Sequence, residues 1–162
     1  MEADSAGLLE RVLAQVIPKQ RGLDAWQALL RAHATLMRQL ATDLVEEVGL
    51  TLGDFDVLAQ LARPGGELRM SELAAQAYSS RSGMTRRIDR LVGEGLVSRT
   101  NSDADGRGVV VALTDAGLAR LAEAAPVHLR RVSELFVEKL NDRELATLAS
   151  ALGKVALDCT FG

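Results

Sequence analysis

The chain has 162 residues, 48% hydrophobic, 25% charged and only 3% aromatic, a balance that excludes a disordered tail protein and favours helices packed through Leu, Ala and Val stripes. No apolar run approaches the ~20 residues that span a bilayer, Glu2 and Asp4 stand where a secretory signal would be basic, and Cys159, the single cysteine, leaves no intrachain disulfide framework, so the expected compartment is the cytoplasm, with no membrane partner. The net charge of −3 speaks against a nucleic-acid binder only if the charge is evenly spread, because such binding depends on local distribution.

Residues 5–18 read as a short helix with Leu8, Leu9, Val12, Leu13 and Val16 on one side and Pro18 as its stop. Lys19–Gly22 reads as a loop and Asp24 as a cap. From Ala25 to Val48 the apolar positions Trp26, Leu29, Leu30, Met37, Leu40, Leu44 and Val48 recur at steps of three and four, the pattern of a long amphipathic helix that Gly49 ends. So long a stripe in so small a chain calls for a partner, and a second copy is the expected one; an ordinary monomer core is the alternative. Thr51 opens a third helix with Phe55, Val57, Leu58 and Leu61 inward, and Arg63-Pro64-Gly65-Gly66 breaks the chain.

A short helix over 70–77, N-capped by Ser71, then a turn at Tyr78-Ser79 and a second helix from about Ser80 to Glu94 have the dimensions of a helix-turn-helix. Val97–Thr100 and Val109–Leu113 read as two strands around a polar loop, a hairpin directly behind a helix. Thr114 caps a helix to about Leu140 that Pro126 kinks. Asn141 and Glu144 form the capping box of a last helix, whose stripe is Leu145, Leu148, Leu152, Val155 and Ala156. The fold class is therefore mainly α with a small β-hairpin wing. It divides into N-terminal dimerisation helices over 1–50, a winged helix-turn-helix over 51–116 and C-terminal dimerisation helices over 117–162.

The second helix of the pair carries the chemistry. Between Ser79 and Arg107 there are six arginines against four acids, so this segment is +2 and the remainder −5. Arginine suits bidentate contact with guanine or phosphate. Met84, Ile88, Leu91 and Val92 define the buried side, which turns Ser82, Arg86, Asp89, Arg90 and Gly93 outward. Small hydroxyls let a helix approach DNA closely and its amides meet phosphate. Ser82 and Arg86, with Thr85 at the flank, are the candidates for base reading; Ser80, Arg81 and Arg90 are the candidates for phosphate contact. The competing reading is a bundle helix with a polar outer face.

Two longer runs then carry a resemblance. Asp103-Ala104-Asp105-Gly106-Arg107-Gly108-Val109-Val110-Val111-Ala112-Leu113-Thr114-Asp115-Ala116-Gly117 looks like an Asp-x-Arg wing tip before a strand ending in Leu-Thr-x-x-Gly. Met84 to Val97 resembles a recognition helix with a Gly-Leu-Val step into the wing. Together they resemble the MarR family of bacterial transcription regulators, over residues 25–157 and most strongly over 70–117. The resemblance implies a homodimeric repressor on a pseudo-palindromic operator in double-stranded DNA. It places Arg107 in the minor groove, steadied by Asp105. It also implies release from DNA by a small anionic aromatic effector, for which Trp26, His33, Asp56, Arg87 and Arg99 are the candidate residues; a core role for His33 and a packing role for Trp26 are the alternatives.

Asp56, Arg87 and Arg99 are similar in position to effector residues of the urate-responsive branch. That branch carries a tryptophan on an extra N-terminal helix, and residues 5–17 contain none. The peroxide-sensing branch uses an N-terminal cysteine that is absent here, and Cys159 reads as a buried structural thiol. Two histidines, one cysteine and no ligand spacing give no metal or cofactor site, and neither Gly83 nor Gly93 with Gly95 forms a phosphate loop, so no enzyme chemistry is expected. A winged-helix adaptor that binds protein and not DNA is the alternative function.

Overall fold

The computed structural model describes residues 7–8, 11–13, 15–16, 20–63, 65–76, 81–101 and 108–159. The chain forms two compact units, Met1–Gln39 and Leu40–Gly162. In the first, residues 7–8, 11–13 and 15–16 are helical, and helix α1 begins at Gln20 in a span of 29 residues, Gln20–Val48. It starts earlier than the sequence suggested: residues 20–22 are helical and Asp24 lies inside α1 instead of capping it. Gln, Arg and Leu are good helix formers, and the lone Gly22 among them costs only about 1 kcal/mol. Gly49 ends the helix as expected, with φ of 64° and its N–H donating to the Val45 carbonyl at 2.9 Å, the single bond of a left-handed cap.

In the second unit the order is α2 (Leu52–Leu61), β1 (Glu67–Arg69), α3 (Met70–Gln76), α4 (Arg81–Gly93), β2 (Val97–Asn101), β3 (Val109–Leu113), α5 (Asp115–Leu135), a 3₁₀ turn at Val137–Lys139 and α6 (Asp142–Cys159). Phe55, Val57, Leu58 and Leu61 of α2 are buried as their spacing implied, together with Leu73, Met84, Ile88, Leu91, Val97 and Val111. One core thus joins α2, α3, α4 and the sheet.

The wing is a three-stranded sheet, not a lone hairpin. Its order is β1-β3-β2, antiparallel throughout. Leu68 pairs with Val111 and Val111 with Arg99, while Arg69 pairs with Val110 and Val110 with Thr100. Three residues of β1 are too few to show a period, and they become a strand only because the edge of β3 accepts them. The start of α3 also differs from expectation. Ser71 lies within the helix; the capping contact comes from Glu72, whose carboxylate accepts the Arg69 backbone N–H at 2.7 Å.

Two joints fix α4 to the wing and to α5. At its C-terminus Gly95 has φ of 73°. Leu96 N–H donates to Leu91 O at 2.9 Å and Gly95 N–H to Val92 O at 3.0 Å, the paired bonds of a Schellman motif. The Thr114 hydroxyl then donates to the carbonyls of Gly95 and Leu96 (2.7 and 2.9 Å) and accepts from Gly117 N–H at 3.0 Å. A Cβ on Gly117 would lie 2.0 Å from the Leu96 carbonyl oxygen. The Leu-Thr-x-x-Gly run is therefore a weld: threonine ties the start of α5 to the end of α4, and glycine lets the two backbones touch.

Further along, α5 reaches back to the end of α1. Arg120 donates to the Val48 carbonyl, Arg130 pairs with Glu47 at 2.5 Å and Arg131 with Asp43 at 2.6 Å. Pro126 sits inside α5, and the helix ends at Leu135 before a 3₁₀ turn, not at Leu140. Asn141 and Glu144 form the reciprocal capping box, at 3.0 and 2.9 Å.

Candidate nucleic-acid interface

Helix α4 buries Met84, Ile88 and Leu91, each at 1% exposure or less. These positions fall at i, i+4 and i+7, one stripe of an α-helix. Val92, expected with them, is exposed. It sits ~100° around the helix from Leu91, off the seam the other three define. The turn over Tyr78-Ser79, Ser80, the wing tip with Asp105 and Arg107, and the side chains of Arg81, Ser82 and Cys159 lie outside the described residues. Of the described candidates, Arg86 is exposed on the outward arc with Asp89, Arg90 and Gly93, and Thr85 is half-buried at the flank.

What holds this arc in place is a residue that sequence reasoning missed. Asp54, in the first turn of α2, is 1% exposed. Its Oδ1 accepts from Arg87 Nη1 at 3.1 Å and from Arg90 Nη2 at 2.5 Å. Thr51 Oγ1 accepts the Asp54 backbone N–H at 3.2 Å, which fixes the turn that carries the carboxylate. Arg87 and Arg90 lie three apart on α4, so one buried anion clamps two points of the same helix face. The adjacent Gly53 makes room: a Cβ there would stand 2.0 Å from Arg87 Nη1. Hydrogen bonding to Asp54, more than its own partial desolvation, holds the Arg90 guanidinium above the ordinary arginine range.

The clamp changes what α4 can offer a ligand. Arg90, a phosphate candidate from sequence, commits its guanidinium to Asp54 and, at 3.0 Å, to Glu94. Arg87, an effector candidate, meets Asp54 and not Asp56 through a hydrogen bond. Arg99 on β2, another effector candidate, pairs at 2.8 Å with Asp89 on the outward arc of α4 and so ties wing to helix. Asp56 projects from α2 within the electrostatic reach of Arg87 and of His128 on α5. Partial desolvation raises its pKa, and electrostatic interaction with His128 and with Arg87 opposes that shift. Trp26 and His33 belong to the first unit, where both are exposed on α1. The signal that could have found Asp54 was local: an acid two residues before a second acid, in the first turn of an apolar helix, preceded by glycine and a capping threonine.

Among the described residues no group of histidine, cysteine or acidic side chains could hold a metal ion, and no helix is long and apolar enough to cross a membrane. The geometry is that of a rigidly held helix with a polar, arginine-bearing outer arc beside a β-wing.

Comparison with known proteins agrees with this geometry. Residues 48–108 match the family model described as the MarR family. A HTH-type transcriptional regulator of Bacillus cereus is 32% identical over 130 residues, which cover 80% of this chain and 85% of that protein. The crystal structure of AbsC, a MarR family transcriptional regulator from Streptomyces coelicolor, superposes with a TM-score of 0.81 at 31% identity, over 89% of this chain and 97% of AbsC. Sco3205, a MarR family regulator from the same organism crystallised in complex with DNA, superposes with a TM-score of 0.79 at 28% identity, over 85% of this chain and 87% of its own.

Proposed function

Because the chain belongs to the MarR family and is a DNA-binding transcription regulator, we propose that it acts as a repressor, a homodimer that occupies a pseudo-palindromic operator in the cytoplasm. The observation that carries this reading is the outward arc of α4, where Arg86 stands exposed on a helix whose Arg87 and Arg90 are fixed by Asp54. An exposed guanidinium on a clamped helix can make a bidentate contact with a guanine edge in the major groove at little entropic cost. Thr85 flanks it, and Ser82, Ser80 and Arg81 complete the expected base and phosphate contacts. Arg107, steadied by Asp105, is the expected wing contact in the minor groove.

Dimerisation is supported by apolar side chains left exposed in the single chain: Trp26, Leu30 and Met37 on α1, and Leu152 and Val155 on α6. Two-fold symmetry then sets the half-sites about one helical turn, roughly 10 base pairs, apart. For a small anionic aromatic effector, Arg87 and Asp56 are the best-supported contacts, because a ligand carboxylate that drew Arg87 from Asp54 would loosen α4 directly. Trp26, His33 and Arg99 remain candidate effector residues.

The test is a titration of DNA from upstream of the protein's own gene, at several salt concentrations and with nonspecific competitor. Arg86→Ala is expected to weaken binding by about 1–3 kcal/mol and to relax discrimination at one base position. Arg107→Ala is expected to weaken it across sequences with a smaller salt slope. If neither variant changes binding, DNA contact by this face is refuted.

A further inference from the structure

Asp89 places a negative charge on the outward arc of α4, the face that meets a polyanion. It follows Arg86 by three residues and is exposed, as Arg86 is. Residues three apart are neighbours on a helix surface and lie about 4.5 Å apart along its axis. An acid in such a place is repelled by phosphate unless a cation offsets its charge or a donor meets its oxygens. The offsetting cation comes from the wing. Val97 and Arg99 share one side of β2, because strand side chains alternate; Val97 is buried, and Arg99 stands in register with buried Val111. From there Arg99 Nη1 donates to Asp89 Oδ1 at 2.8 Å. The two side chains are 39% and 55% exposed, and an ion pair so open to water contributes little to stability. Its placement on the arc thus needs another reason. The contact uses one carboxylate oxygen; among the described residues Oδ2 makes no hydrogen bond.

We propose that Asp89 is a specificity-determining residue: its Oδ2 accepts the exocyclic amino group of a cytosine in the base pair next to the guanine that Arg86 reads, and Arg99 is its positioning residue. This rests on the DNA-binding reading. In the major groove the donors are the amino groups of cytosine and adenine; guanine and thymine turn acceptors outward. A carboxylate only accepts, so it favours the amino bases and opposes guanine and thymine. Adenine sets its N7 acceptor beside the amino group, which leaves cytosine the best fit. The step of about 4.5 Å from Arg86 compares with roughly 3.4 Å between successive base pairs, so the two side chains meet neighbouring pairs. Arg99 serves the contact in two ways. It offsets the charge, so the helix enters the groove without net repulsion at this point. It also holds the carboxylate in one orientation, so less side-chain entropy is lost on binding.

The experiment selects duplexes from a random pool with the wild-type protein and with Arg86→Ala, Asp89→Ala, Asp89→Asn, Arg99→Ala and Arg99→Lys. Each preference is then measured by competition between duplexes that differ at one base pair. The wild type should enrich cytosine in each half-site, beside the position that Arg86→Ala relaxes, by at least about fivefold, the low end for one base-pair change. Asp89→Ala should lose that preference and keep those at other positions. Asp89→Asn keeps the shape and sets a donor beside an acceptor, the pair that matches adenine N7 and N6, so the preferred base should change from cytosine to adenine. Arg99→Ala should weaken the cytosine preference, and Arg99→Lys, which returns the charge, should restore part of it. If Asp89→Ala and Asp89→Asn bind every duplex less tightly in equal proportion, the ion pair only ties wing to helix and the proposal is overturned. An unchanged base preference in both variants overturns it too. A wild type that selects no sequence refutes base reading by α4 as a whole, and this proposal with it.

Discussion

Asp54→Ala is the sharpest perturbation of the interface. The substitution removes a carboxylate with 2% side-chain exposure and leaves two guanidiniums, 28% and 46% exposed, without their shared acceptor. Breaking a buried pair by deleting one partner costs about 3–5 kcal/mol. Here water reaches both arginines and Arg90 keeps Glu94, so the lower end applies, about 3 kcal/mol. For a chain of this size that lowers Tm by roughly 6–12 °C. Asp54→Asn keeps the shape and one acceptor oxygen and should cost about half as much. Circular dichroism melts give the stability loss. Fluorescence anisotropy on an operator duplex, well below the melting range, gives the affinity, which should drop tenfold or more because α4 loses both of its fixed points on α2. An Asp54→Ala protein that melts within about 2 °C of the wild type, or that binds as tightly when fully folded, would refute the clamp.

Three further substitutions probe the same framework. Gly53→Ala puts a methyl group 2.0 Å from Arg87 Nη1; Arg87 should swing off Asp54 while Arg90 stays, costing about 1–2 kcal/mol in melts and changing operator affinity less than Asp54→Ala does. Gly117→Ala meets the Leu96 carbonyl, backbone that cannot swing aside, so it should cost about 3 kcal/mol or more, and a variant as stable as the wild type would contradict the weld between α4 and α5. Asn141→Ala breaks the capping box of α6 and should lower stability by about 1 kcal/mol without changing DNA contacts in a footprint.

Some of this was legible in the sequence because it is local. Thr51, Thr114 and Asn141 cap helices through bonds to residues three positions on, and Gly49 and Gly95 end helices by adopting a conformation other residues avoid. The stripe of Met84, Ile88 and Leu91 is local too, and it oriented α4 correctly. What escaped depends on distant partners. β1 exists through its pairing with β3, more than 40 positions away. Asp54 finds Arg87 and Arg90 across 33 and 36 positions, so its local setting, a first-turn acid after glycine and a capping threonine, does not disclose its partners, and Asp56 looked the better candidate from sequence. Gly117 was recognisable as part of a motif, but the reason for it, the Leu96 carbonyl against its Cα, is a tertiary contact. Ser71 is an instructive miss: its type suits a cap, but β1 runs straight into α3 and leaves the capping to Glu72.

Operator recognition by α4 is decided by selection of bound duplexes from a random pool, followed by footprinting of the enriched sequence. One enriched pseudo-palindrome is expected, with half-sites about one helical turn apart and occupied by two chains, and Arg86→Ala should relax the enrichment at one base position of each half-site. Recovery of no preferred sequence, with binding set only by salt and DNA length, would contradict it.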